Sequence, residues 1–171
     1  MTEHALEDET TLRHAYAGDW SRLLSLALAV AGLPISLYLS YVKLGEVPEM
    51  TCPAEGATLL GLPIDCGLVD RSRYSMPGPI PVAVLGVAGY LVILLVLALE
   101  DRLSLFIADN GRLVLIGLTL FGFAFSAYLT WAEVAQIKTV CSWCLASAVL
   151  TTLLFALSLI RLRQGIAKGA V

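Results

Sequence analysis

The residues best suited to chemistry are four cysteines, Cys52, Cys66, Cys141 and Cys144. The last two form a Cys-x-x-Cys pair, Cys141-Ser142-Trp143-Cys144, heading a long apolar run over residues 145–160. Two intervening residues bring both sulfurs to one side of a helix's first turn. The partial positive charge at a helix N-terminus favours a thiolate, the form of cysteine that attacks a disulfide. The helix behind this pair has membrane length. The spacing therefore places a redox-type thiol pair at a membrane surface.

The composition agrees with that setting. The chain has 171 residues, 58% hydrophobic and 15% charged. A soluble domain carries about 25% charged residues, and here the apolar residues fall into runs too long for a small soluble core. One membrane domain accounts for the length. The net charge of −3 carries little information, because the placement of charge governs a membrane protein more than its sum. No basic or repeated pattern points to nucleic acid.

Four spans position the cysteines. Residues 1–19 are polar and acidic, without the basic start or cleavage site of a signal peptide, and read as a mobile cytoplasmic tail. The first span covers 23–42, with Pro34 expected to kink it and Ser36 or a neighbouring helix expected to cover the freed carbonyl. Tyr38 and Tyr41 mark its interfacial end. Residues 44–76 form the one long polar loop and hold Cys52 and Cys66. A run of prolines at Pro77, Pro79 and Pro81 leads into the second span, 82–99, where Gly86 and Gly89 permit close helix contact. A charged connection (100–112), a third span (113 to about 134), a tight link (135–140) and the fourth span from Cys141 complete the chain. The expected fold is an all-α, four-transmembrane-helix bundle over residues 20–162, with a long extracytoplasmic loop between helices 1 and 2 and a cytoplasmic tail at 163–171.

Four spans put both termini on one side. That side carries Arg13, Arg22, Arg102, Arg112, Arg161, Arg163 and Lys168; the other carries Lys43, Arg71, Arg73 and Lys138. The excess of Lys and Arg places both termini in the cytoplasm and all four cysteines outside it, where disulfides persist. A weak repeat supports parallel spans one and three: Gly32, Ser36, Tyr38, Leu39 and Tyr41 correspond to Gly122, Ser126, Tyr128, Leu129 and Trp131 at an offset of 90 residues. Duplication and chance sharing of packing glycines and interfacial aromatics both produce such a pattern.

Two dithiols on one membrane face suit a relay, in which a thiolate attacks a disulfide and is displaced by its neighbour. The alternative for Cys52 and Cys66 is a plain staple, which stabilises a loop of this length by roughly 3 kcal/mol in the chain-entropy model. A zinc site needs all four sulfurs on one ion; His4 and His14 lie on the opposite side and offer no help. A non-catalytic membrane adaptor stapled by disulfides stands beside the enzyme reading.

Residues Asp65-Cys66-Gly67, then Ser72 and Tyr74, then Gly78-Pro79-Ile80-Pro81, resemble the vitamin K epoxide reductase family. Its pattern is a loop cysteine, a serine and an aromatic shortly after, and a Gly-Ile-Pro-type start to the second helix. Cys141 and Cys144 match its active-site pair, and the end of the first span fits as well. The resemblance covers about residues 21–159.

That resemblance implies a four-helix bundle around a quinone, ubiquinone or menaquinone. Cys144 matches the cysteine facing the quinone, and Cys141 the one exchanging with the loop. Cys52 and Cys66 match the loop pair that receives electrons from a thioredoxin-fold partner, and Ser72 a serine near the quinone. Phe121, Phe123, Phe125 and Leu145 are candidate pocket residues. Ala148 stands where the animal enzymes carry a tyrosine, and the loop cysteines are more widely spaced. Both departures favour the prokaryotic role, reoxidation of a separate DsbA-like protein in the cell membrane, over vitamin K quinone or epoxide reduction. A DsbB-like protein has its two cysteine pairs in the reverse order. The resemblance leaves open which loop cysteine meets Cys141; a trapped Cys52–Cys141 bridge is the expectation to test first.

Overall fold

The computed structural model describes the backbone of residues 2–45, 50–99 and 105–167 and the side chains of residues 20–45, 50–99 and 113–164. Five α-helices lie in the described residues: α1 (Thr2–Leu44), α2 (Cys66–Arg71), α3 (Val82–Leu99), α4 (Leu105–Trp131) and α5 (Ser142–Ala167). Four helical stretches are long and apolar enough to cross a membrane: Trp20–Leu44, Val82–Leu99, Leu113–Ile137, which runs past the end of α4, and Ser142–Gln164. α1 begins at Thr2, so the backbone of the segment expected as a tail is helical; its Ala, Leu, Glu and Arg residues are good helix formers. The side chains of residues 1–19, the 100–104 stretch and residues 168–171 fall outside the described set.

α1 packs on α3 and α5, and α5 also packs on α4. The centre is Ala29, Tyr90, Ile93, Leu97, Leu115 and Leu154, all buried. Large apolar side chains such as Leu23, Val30, Leu91, Leu95 and Leu153 point outward, as expected where the surrounding solvent is lipid and only interhelical packing needs small residues. The Tyr90 ring lies directly over Gly32: a Cβ there would sit 2.2 Å from the ring. Gly122 makes the corresponding approach between α4 and α5, against Thr151 at 3.0 Å. The two glycines of the weak repeat thus play equivalent packing roles.

Two local expectations are corrected. The Ser36 hydroxyl donates to the Gly32 carbonyl at 3.0 Å, four residues back on its own helix, whereas the carbonyl that Pro34 deprives of its donor belongs to Val30. Gly86 does face α1, where an added Cβ would stand 3.2 Å from Ser36 Oγ, but a Cβ on Gly89 would meet nothing within 4 Å, and Gly89 borders a cavity instead.

The C-terminal end of α1, the N-terminus of α3, the far end of α4 and the N-terminus of α5 gather at one end of the bundle, where the segment between α1 and α3 caps it. This cap contains a two-stranded antiparallel hairpin, β1 (Thr58–Leu59) with β2 (Leu62–Pro63), then α2 and a 3-10 turn, Arg73–Ser75. Asp65 caps α2 by accepting the Leu68 N–H at 2.8 Å. Lys43 at the end of α1 donates to the Asp70 carbonyl and to Ser75 Oγ and pairs with the Asp70 carboxylate at 3.4 Å, pinning α2 to the bundle.

Candidate active site

Cys52 and Cys66 are joined in a disulfide, and Cys141 and Cys144 are free. The disulfide lies against the free pair. Cys52, Ile64, Cys66, Val69 and Cys141 form one buried cluster, flanked by Met50, Trp143 and Cys144. Ser142, inside the Cys-x-x-Cys, holds its hydroxyl 3.5 Å from Cys52 Sγ and 3.6 Å from Cys66 Sγ. A disulfide sulfur has no proton, so the hydroxyl is the donor in both contacts.

The register between the two pairs is set by backbone. Ile64 and Val140 form a parallel bridge. Val140 N–H donates to the Pro63 carbonyl at 3.0 Å, and Asp65 N–H donates to the Val140 carbonyl at 3.1 Å. Val140 immediately precedes Cys141, and Asp65 immediately precedes Cys66. Two main-chain hydrogen bonds therefore fix the start of α2 beside the start of α5.

Helix α5 begins just after Cys141. The Leu145 N–H donates to the Cys141 carbonyl at 2.9 Å, and the Cys144 N–H donates to Cys141 Sγ at 3.3 Å. The first sulfur of the pair thus occupies the N-cap position, where a helix offers unpaired N–H groups and the positive end of its dipole.

The link before Cys141 differs from the expected tight connection. α4 runs into a π-helical turn, Ala132–Ile137, which ends at Lys138 in the left-handed conformation, φ 56°. Such turns insert an extra residue per turn and concentrate at functional sites. This one places Glu133 inside, only 3% exposed. Its Oε2 accepts the Cys141 backbone N–H at 3.1 Å, and Glu133 borders the same cavity as Cys144. Sequence reasoning missed Glu133, although a lone carboxylate inside a membrane-length apolar span is a signal in itself.

A cavity of about 330 Å³ opens beneath the cysteines and is bordered by Cys66, Cys141, Cys144 and Glu133 at its upper wall. That volume lies within the range of small-molecule sites. Of the candidate pocket residues, Ser72, Phe121 and Phe125 border it. Phe121 and Phe125 stack at 6.0 Å between ring centroids. Phe121 is also 68% exposed on the outside of the bundle, so the cavity opens toward the lipid-facing surface. Leu145 and Phe123 do not reach it. They border a separate groove between α4 and α5, because one residue of helix beyond Cys144 turns a side chain by about 100°. Phe123 stacks on Phe155 there.

The cavity suits a quinone head group. Its walls are mainly apolar, and the Ser72 hydroxyl is buried without a hydrogen-bond partner, an arrangement that costs about 1–3 kcal/mol unless a ligand acceptor fills it. A ring carbonyl is such an acceptor. Among the described residues no cluster of His, Cys, Asp or Glu could hold a metal ion.

Four membrane-length helices, with a disulfide seated on a free Cys-x-x-Cys above an apolar cavity, are the architecture of a membrane oxidoreductase. The family model of the vitamin K epoxide reductase family matches residues 23–159, most of the chain, and the protein belongs to that family. Its members are oxidoreductases, and membership implies a role that joins disulfide chemistry to quinone.

Proposed function

We propose that the protein is a membrane thiol oxidase that reoxidises a DsbA-like thioredoxin-fold partner and passes the electrons to a bound quinone, ubiquinone or menaquinone. The observation that carries the reading is the backbone register of Ile64 with Val140, which sets one redox pair on the other beside the cavity. In this reading the termini are cytoplasmic, and the cap with all four cysteines faces the oxidising side of the cell membrane, as the Lys and Arg distribution favours.

The burial of the sulfurs supports an order of events. Cys66 and Cys141 are 0% and 1% exposed, whereas Cys52 is 8% exposed. The partner's thiolate attacks Cys52, breaks the Cys52–Cys66 bond and releases Cys66 as thiolate. The partner's second thiol then frees Cys52 and leaves oxidised. Cys66 attacks Cys141 of a closed Cys141–Cys144 disulfide, and Cys144 leaves as thiolate facing the cavity. Cys52 displaces Cys141 from Cys66 and restores the loop disulfide. A quinone supplies a two-electron, two-proton acceptor for the resulting dithiol; Ser72 offers it a hydrogen bond, and Phe121 and Phe125 exclude water from it.

The test mixes purified protein with a reduced DsbA-like protein and a soluble quinone analogue and follows quinone absorbance. Turnover that disappears in Cys144→Ala is the expected result. Full turnover in that variant would remove the reading and return weight to a stapled adaptor.

A further inference from the structure

The relay leaves one buried reactive group without a task. Glu133 sits in a membrane-length segment, 3% exposed. One carboxyl oxygen is fixed by the Cys141 N–H at 3.1 Å, the Cys144 N–H in turn reaches Cys141 Sγ at 3.3 Å, and Glu133 borders the same cavity as both cysteines. No cation pairs with it among the described residues. The other charged groups on the cavity wall, Lys43 and Asp70, pair with each other at 3.4 Å. The remaining titratable groups there are the phenols of Tyr74 and Tyr90. Tyr90 is engaged with Ser147 and Thr151 at 3.2 and 3.3 Å.

An intramembrane carboxyl without a cation is costly to keep charged, and a thiol pair that opens and closes must gain and lose two protons in a place with little access to water. We propose that Glu133 is the proton carrier of the Cys141/Cys144 pair. When Cys66 attacks Cys141 and Cys144 leaves as thiolate, Glu133 gives that thiolate its proton and becomes a carboxylate. When the dithiol closes again, Glu133 takes the proton back from Cys144 and releases it to one oxygen of a para-quinone. Cys141, which takes up the thiol proton that Cys52 loses in displacing it, supplies the second proton, and the two electrons released as the Cys141–Cys144 bond forms would pass with both protons to the quinone to give quinol. Glu133 ends as carboxylate, and one proton from the aqueous side resets it.

The proposal rests on the thiol-oxidase reading for its acceptor, but its central test needs neither quinone nor partner. The potential of the Cys141/Cys144 couple is measured against glutathione over a range of pH, with the redox state read by alkylation and peptide mass. An unassisted dithiol binds two protons per two electrons on reduction. With Glu133 giving up its proton as Cys144 gains one, the wild-type protein takes up one net proton per two electrons over part of the range. Glu133→Gln, which keeps an oxygen for the Cys141 N–H, takes up two throughout, and its quinone turnover falls by about 10²-fold, within the usual worth of general acid–base catalysis. Glu133→Asp, a second variant that keeps a carboxyl group, retains a one-proton region. Identical two-proton behaviour in wild type and Glu133→Gln would overturn the proposal, as would unchanged turnover in folded Glu133→Gln. A wild-type protein that shows the one-proton region but reduces no quinone would instead strike the oxidase reading and, with it, the delivery step.

Discussion

Trp143 Nε1 donates to the Thr51 carbonyl at 2.9 Å, joining the middle of the Cys-x-x-Cys to the residue before Cys52 across 92 positions of sequence. Tyr38 completes the latch: its hydroxyl accepts the Thr51 N–H at 3.0 Å, and its ring lies 5.6 Å from the Trp143 ring. Thr51 is thus held by both of its backbone groups. Trp143→Phe keeps a ring and removes the donor, a loss of about 1 kcal/mol for a neutral hydrogen bond. Reduction of Cys52–Cys66 by a small thiol, followed by alkylation, is expected to be about fivefold faster in the variant. An unchanged rate would mean that the latch does not restrain the loop disulfide.

The loop cysteine that meets Cys141 is expected to be Cys66. Sequence reasoning puts Cys52–Cys141 first as the bridge to trap, but the Ile64–Val140 register holds Cys66 beside Cys141. With Cys52 and Cys144 changed to Ser, a Cys66–Cys141 bridge should accumulate and be recovered by non-reducing peptide mapping. The converse variant, with Cys66 and Cys144 changed to Ser, should yield less. The reverse ranking would make Cys52 the shuttle.

Ser72→Ala separates binding from stability. The hydroxyl is buried and unpartnered, so removing it leaves the thermal midpoint unchanged or slightly higher. The KM for a quinone analogue should rise about 5–10-fold, equivalent to one hydrogen bond of roughly 1 kcal/mol. A lowered midpoint with unchanged KM would assign Ser72 to the fold alone.

Gly32→Ala should destabilise the bundle by about 1–3 kcal/mol, the usual cost of forcing extra volume into a packed interior. The added Cβ would stand 2.2 Å from the Tyr90 ring, so the ring must move away from Ser147 and Thr151. Thermal unfolding in detergent measures the loss. Combining Gly32→Ala with Tyr90→Leu should cost less than the sum of the two single changes, because both act on one contact.

What the sequence determined is whatever depends on pattern along the chain. Apolar runs of bilayer length define four spans, since a backbone in lipid must satisfy its hydrogen bonds within a helix. The Cys-x-x-Cys spacing puts two sulfurs on one turn, and the glycine–serine–aromatic repeat marks where α1 and α4 let a neighbouring helix approach. The tertiary structure alone decided what those features meet. The pairing of Val140 with Ile64, the Trp143–Thr51 bond and the inward turn of Glu133 each join residues by through-space geometry or by a local π-helical insertion that shifts every later side chain. Leu145 and Phe125 are equally apolar in sequence, yet Phe125 borders the cavity and Leu145 a different groove. A helix presents each residue in a direction fixed by its phase, and only the packing of the other helices determines what lies in that direction.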